Sequence, residues 1–198
     1  MKLSMKKPNE NKWLFFAIGN PGDEFENTYH NAGMMALPAF VETVTGENID
    51  DLGWKTHKCL FTYATVGNFV FANSLTFMNE SGRSVAEAVK KFGVAPDHLV
   101  ILHDDSDITL GDFKLSFDRS SGGHKGAQSI IDHLKTQAFW RARFGVRPSS
   151  AKATEGKPAR RLKAGDFVLG KLTPTARKKL ESVFEKAAKE IKRVVGSR

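Results

Sequence analysis

Two kinds of apolar pattern alternate along the chain. Leu14-Phe15-Phe16-Ala17-Ile18 and Leu99-Val100-Ile101-Leu102 are continuous apolar runs, which suit strands covered on both faces. Phe113, Leu115 and Phe117 alternate with Asp112, Lys114 and Ser116, and Ala142, Phe144 and Val146 alternate with Arg141, Arg143 and Gly145. Period two of this kind marks a strand with one covered face. Cys59 to Val66 and Phe69 to Ala72, joined by Gly67-Asn68, read as a hairpin, since those two turn residues tolerate positive φ.

Helical stripes separate these strands. Met34, Leu37, Val41 and Val44 predict a helix from about Thr28 to Thr45 stopped by Gly46, with Pro38 expected to kink it or delay its start. Val85, Val89 and Phe92 predict a second helix, capped by Asn79 or Ser81, and Ile130, Ile131 and Leu134 a short third. Ala176, Leu180, Val183, Phe184, Ala187, Ile191 and Val194 form the stripe of a last helix, with Thr173 as cap and Pro174 as first residue. Glu47 to Lys58 reads as loop, and Ser149 to Gly165 as a basic loop that moves. Strands alternating with helices over 198 residues predict one α/β domain over residues 13–198, behind a flexible extension at residues 1–12.

Charge and cysteine usage narrow the class. A formal charge of +8 favours a polyanionic partner such as nucleic acid, although solvated lysine faces give the same excess. The single cysteine, Cys59, has no disulfide partner, which points to the cytosol. No apolar run is long enough for a membrane span. His57 and Cys59 make at most a two-ligand fragment, so no metal-ligand cluster is expected.

Four polar segments sit where an apolar strand ends or a helix begins: Gly19-Asn20-Pro21-Gly22 with His30, Thr76 to Asn79, His103 to Asp107, and Gly122 to Gly126. Ligand sites of open α/β sheets gather at such strand ends. The Gly122-Gly123-His124-Lys125-Gly126 loop offers backbone N–H groups to an anion or oxyanion. Both the dinucleotide G-x-G-x-x-G and the P-loop spacings are absent.

In order and spacing, Ile18-Gly19-Asn20-Pro21-Gly22, His30-Asn31-Ala32-Gly33, Thr76 to Gly82, His103-Asp104, Gly122-Gly123-His124, Arg141 to Gly145 and Phe167 to Gly170 resemble bacterial peptidyl-tRNA hydrolases. The resemblance covers nearly the whole chain from about Leu14. It implies a single-domain α/β fold with a twisted mixed β-sheet flanked by α-helices. It implies hydrolysis of the ester joining a peptide to the 3′ end of tRNA, by a cytoplasmic monomer with no metal or cofactor.

By the same resemblance His30 is the general base and Asp104 its orienting acid. Asn20 and Asn79 position substrate, Met78 lines the cleft with Gly122, and Lys114 and Arg143 grip tRNA phosphate. Two site positions depart from the family pattern. Tyr29 stands where arginine is common, which bears on substrate affinity. Lys125 replaces an asparagine, and lysine donates hydrogen bonds but cannot accept them. Lys125 therefore stabilises an oxyanion or phosphate, faces solvent, or marks lost activity. The competing class is a catalytically weak or inactive RNA-binding protein on the same scaffold.

Overall fold

A computed structural model describes residues 11–148, 165 and 167–196. The apolar runs form the middle of a seven-stranded mixed sheet ordered β2-β3-β4-β1-β5-β7-β6. Its strands are β1 (Trp13–Ala17), β2 (Lys55–His57), β3 (Phe61–Val66), β4 (Phe69–Ser74), β5 (Leu99–Thr109), β6 (Phe113–Phe117) and β7 (Trp140–Arg147). β1 runs parallel to β4 and β5, and β5 to β7, whereas β2/β3, β3/β4 and β6/β7 are antiparallel. The expected hairpin is β3/β4, with Gly67 at φ 56° in its turn.

Helices α1 (Ala32–Thr45) and α4 (Pro174–Gly196) cover one face, burying Leu37, Phe40, Leu180 and Phe184 against Phe15, Phe71 and Phe144. Helices α2 (Ser81–Phe92) and α3 (Lys125–Leu134) cover the other, where Val85 and Ile130 meet Leu14, Phe16 and Ile101. A sheet covered on both faces is why β1 and the first half of β5 carry no polar residue.

Several boundaries differ from the sequence reading, each for a local reason. The first helix begins at Ala32, not Thr28, because Thr28 is extended and Tyr29–Asn31 form a 3-10 turn. There the N–H groups of Tyr29 and His30 bond to the carbonyls of Gly170 and Val168. α1 runs through Pro38, which sits on its exposed side, so the carbonyl left without an N–H partner can reach water. Neither Asn79 nor Ser81 caps α2; a 3-10 turn at Met78–Glu80 leads in, and Ser81 Oγ donates to the Met78 carbonyl at 2.8 Å. Lys55–His57, read as loop, is a short edge strand, too polar to show a strand pattern. Thr173 does cap α4, accepting from the Ala176 N–H at 3.1 Å. Residues 1–10 of the expected extension, and the basic loop apart from Gly165, lie outside the described residues.

At the β2 edge, Glu87 of α2 accepts from Lys58 Nζ at 2.7 Å and pairs with His57 Nε2 at 3.1 Å. The Lys58 hydrogen bond first, then that of His57, lower the Glu87 carboxyl from 4.5 to about 2. A depressed carboxyl contributes stability above its unfolded pKa and loses it as pH falls through the folded one. Wild-type thermal stability is therefore expected to decline between about pH 4.5 and 2, and Glu87→Gln to flatten that decline. Melting curves over this range check it. The effect is about 1 kcal/mol or less, because the pair is solvent-screened.

Candidate active site

The site lies where the carboxyl ends of β1 and β5 meet the first turns of α1 and α3. After β1 the chain turns through Gly19 to Gly22, and Asn20 is locked from both sides. Its N–H donates to Asn31 Oδ1 at 2.8 Å, and its carbonyl accepts from Asn31 Nδ2 at 3.0 Å. Its side-chain Oδ1 accepts from the Met78 N–H at 2.8 Å. That bond fixes the amide orientation and leaves the Asn20 NH₂ as a donor.

Gly33 sets the distance between α1 and β5. A Cβ there would fall 2.1 Å from the Leu102 carbonyl oxygen, so only glycine allows this approach. The close packing carries His30, three residues earlier, to the middle of β5, where its Nδ1 lies 2.8 Å from Asp104 Oδ1. Asp104 is 1% exposed.

A second histidine meets the same oxygen. His124 Nε2 lies 3.0 Å from Asp104 Oδ1, while its Nδ1 accepts from the Ala127 N–H at 3.1 Å, capping α3. A nitrogen that accepts is unprotonated, so His124 is held as the Nε2–H tautomer and donates to Asp104. Asp104 can therefore accept from both imidazoles, and the His30 Nε2 lone pair is left for chemistry. Burial on its own would raise the Asp104 carboxyl; attraction to His124 and His30, with the hydrogen bonds they donate, outweighs it and holds the group well below the usual carboxylate range.

Behind these lies His103, fully buried on β5, with Nδ1 2.6 Å from the Asp104 carbonyl and its ring centroid 4.5 Å from that of His124. Burial, then the neighbouring His124, push it well below the ordinary imidazole range. It stays neutral.

A cavity of about 810 Å³ opens in front of this cluster. Seven residues singled out from the sequence line it together: Asn20, His30, Met78, Asn79, Asp104, Gly122 and Lys125. Asp105, Ser106, Asp107, Arg147, Val168 and Leu169 complete much of the wall. Three expected residues stand elsewhere. Tyr29 packs edge-on against Phe167, behind the Val168–Leu169 wall. Lys114 is exposed on β6, in register with Arg143 on β7. Arg143 is not a free cation: its Nε and Nη2 meet Asp105 Oδ2 at 2.7 and 2.6 Å.

The alternation that reads Arg141 and Arg143 as facing away from the covered side of their strand fails for Arg141. β7 lies between β5 and β6, and Arg141 is buried. The sequence also gave no role to His124, although its place before a helix start after two glycines is an N-cap position.

The expectation of no metal-ligand cluster needs correction, because His30, Asp104 and His124 bring three ligand-type atoms within 4.8 Å of one another. Ninety-four residues separate the first from the last, so no sequence spacing could reveal the group. The Ala127 N–H on His124 Nδ1 keeps a proton on Nε2, which favours a hydrogen-bonded proton relay over ligation there.

The chain is similar to known proteins over nearly its whole length. The family model described as peptidyl-tRNA hydrolase matches residues 14–198. A peptidyl-tRNA hydrolase of Chlamydia pneumoniae is 36% identical over 177 residues, covering 88% of this chain and 93% of that one. One of Aquifex aeolicus is 30% identical over 185 residues, covering 92% and 89%. The crystal structure of the Acinetobacter baumannii peptidyl-tRNA hydrolase superposes with a TM-score of 0.74 at 25% identity, covering 94% of this chain and 90% of that one. With the mixed sheet, the cavity at its strand ends and a family match over nearly the whole length, this chain belongs to the peptidyl-tRNA hydrolase family.

Proposed function

We propose that the chain hydrolyses the ester between a peptide and the 3′-terminal ribose of tRNA. The observation that carries this reading is the His30–Asp104 pair at 2.8 Å, with the Asp104 carboxylate buried and His30 on the cavity wall. Asp104 accepts a hydrogen bond from the His30 Nδ1–H, so His30 Nε2 is the nitrogen able to take a proton from water. The resulting hydroxide adds to the ester carbonyl, and the imidazolium forms against an ionised carboxylate. The tetrahedral oxyanion then expels the ribose oxygen, which takes the proton back from His30. One water is consumed, and free tRNA and a peptide acid leave.

The remaining wall supplies donors for the developing charge. The Asn20 NH₂, the Gly122 N–H and the Lys125 ammonium border the same cavity, and donors fixed before the reaction stabilise an oxyanion most effectively. Lys125 adds positive charge where the family pattern has an amide. Met78 forms an apolar patch and Asn79 a polar rim group. Lys114, beside the Arg143–Asp105 pair, is the outlying cation in this reading, placed to meet tRNA phosphate. Tyr29 acts on substrate affinity through the wall it supports.

None of the described helices is long and apolar enough to cross a membrane. In this reading the chain works in the cytoplasm as a monomer whose cavity is built from its own residues. The test is release of N-acetyl amino acid from N-acetyl-aminoacyl-tRNA, run beside a tRNA-binding titration. Multiple turnover is expected. Binding without any release would favour the RNA-binding alternative and indict Lys125.

A further inference from the structure

The structure assigns to Arg141 the role of a positioning residue, which fixes the loop carrying Gly122, Gly123 and His124 to the sheet. The inference rests on the hydrolase reading for its kinetic consequences, though not for its structural ones.

Arg141 is the largest fully buried side chain among the described residues, 2% exposed on an internal strand. No carboxylate among the described residues lies in ion-pair range of it. Its Nη2 instead donates to two successive backbone carbonyls, Arg119 at 2.8 Å and Ser120 at 2.9 Å, and its Nε is buried without a partner. Burial and the charge of Arg143 lower the guanidinium to about 10, against the opposing pull of Asp105, so it remains charged near neutral pH.

Burying a guanidinium is costly, and an apolar side chain would fill the same space. What the charge adds is a grip on two carbonyls at the entrance to the loop. Directly after them the chain takes two left-handed residues, Gly122 at φ 60° and Gly123 at φ 83°, and His124 then caps α3 and reaches Asp104. The loop's other bonds run within itself or to α3: His124 N–H to Ser121 carbonyl at 3.1 Å, and Ser121 Oγ to Gln128 Oε1 at 2.7 Å. Beyond the chain's own continuity with β6, Arg141 donates the side-chain hydrogen bonds that, among the described residues, tie residues 119–123 to the sheet. It thereby sets where the Gly122 and Gly123 N–H groups and the His124 ring stand, without touching substrate.

Arg141→Lys and Arg141→Met test this. Each is compared with wild type by thermal melting, tRNA affinity, kcat and KM on N-acetyl-aminoacyl-tRNA, and amide spectra of protein labelled with ¹⁵N-glycine. Displacing catalytic groups by an ångström costs up to about 100-fold. The expected result is kcat lower by about 10-fold in the lysine variant and about 100-fold in the methionine variant, with KM and tRNA affinity within about twofold. The Gly122 and Gly123 amide peaks should move or broaden while those of Gly46 and Gly67 stay. Folded variants with unmoved Gly122 and Gly123 peaks and unchanged kcat overturn the proposal. So does a loss of affinity parallel to the loss of kcat, which would make Arg141 a tRNA contact or a general support. Should the methionine variant fail to fold, the lysine variant decides on the same readings. If wild type itself never turns over, the hydrolase reading fails, and the glycine peaks still decide whether Arg141 holds the loop.

Discussion

His30→Ala is expected to bind tRNA as wild type does and to cleave the ester about 1,000-fold more slowly. The imidazole sits on the cavity wall with Nδ1 occupied by Asp104, and alanine removes the ring nitrogen that takes the water proton. Its neighbour cannot substitute: His124 spends Nδ1 on the Ala127 N–H and Nε2 on Asp104. The backbone support survives the ring's removal, because the His30 N–H, bonded to the Val168 carbonyl at 2.8 Å, remains, and His124 still donates to Asp104. Single-turnover rates beside a binding titration check this. A variant that keeps near-normal turnover would remove His30 from the mechanism.

Asp104→Asn is expected to cost about 100- to 1,000-fold in kcat with little change in tRNA affinity. The amide cannot offset the imidazolium charge that forms when His30 takes a proton. If its NH₂ faces His30, Nδ1 must become the acceptor and Nε2 the protonated nitrogen, so the base is lost outright. Because the wild-type carboxyl lies well below the usual carboxylate range, it stays ionised through mild acid. Asp104 is therefore expected to add no carboxylate step to the wild-type pH–rate profile in mild acid, which stopped assays from acid to neutral pH check.

The parts of this site that were legible in the sequence are those signalled by local chemistry. Continuous apolar runs at Leu14–Ile18 and Leu99–Leu102 marked the central strands, and abrupt polar segments after them marked the strand mouths. What sequence could not show was pairing across distance. The Glu87 clasp with Lys58, the tie of Arg143 to Asp105 and the sharing of Asp104 by two histidines join residues 20 to 74 positions apart. Arg141 misled most. On an alternating strand, an arginine opposite apolar residues reads as outward-facing, yet the loop before α3 meets it there. Lys55–His57 stayed hidden for the opposite reason, since an edge strand with little covered surface needs no apolar pattern.

The backbone tie between His30 and the segment at 168–172 has a consequence for the protein's own synthesis. Tyr29, His30 and Asn27 are pinned by Gly170, Val168 and Leu172, and Thr28 forms a bridge with Lys171. These partners, and the helix α4 that seals the core behind α1, are made well after His30. The bonds that hold residues 27–30 therefore form only once residues 168–172 have left the ribosome. A growing polypeptide on the ribosome is itself a peptide esterified to tRNA. The support around its base is therefore incomplete while, in the early stages of translation, the chain's own ester still joins it to tRNA.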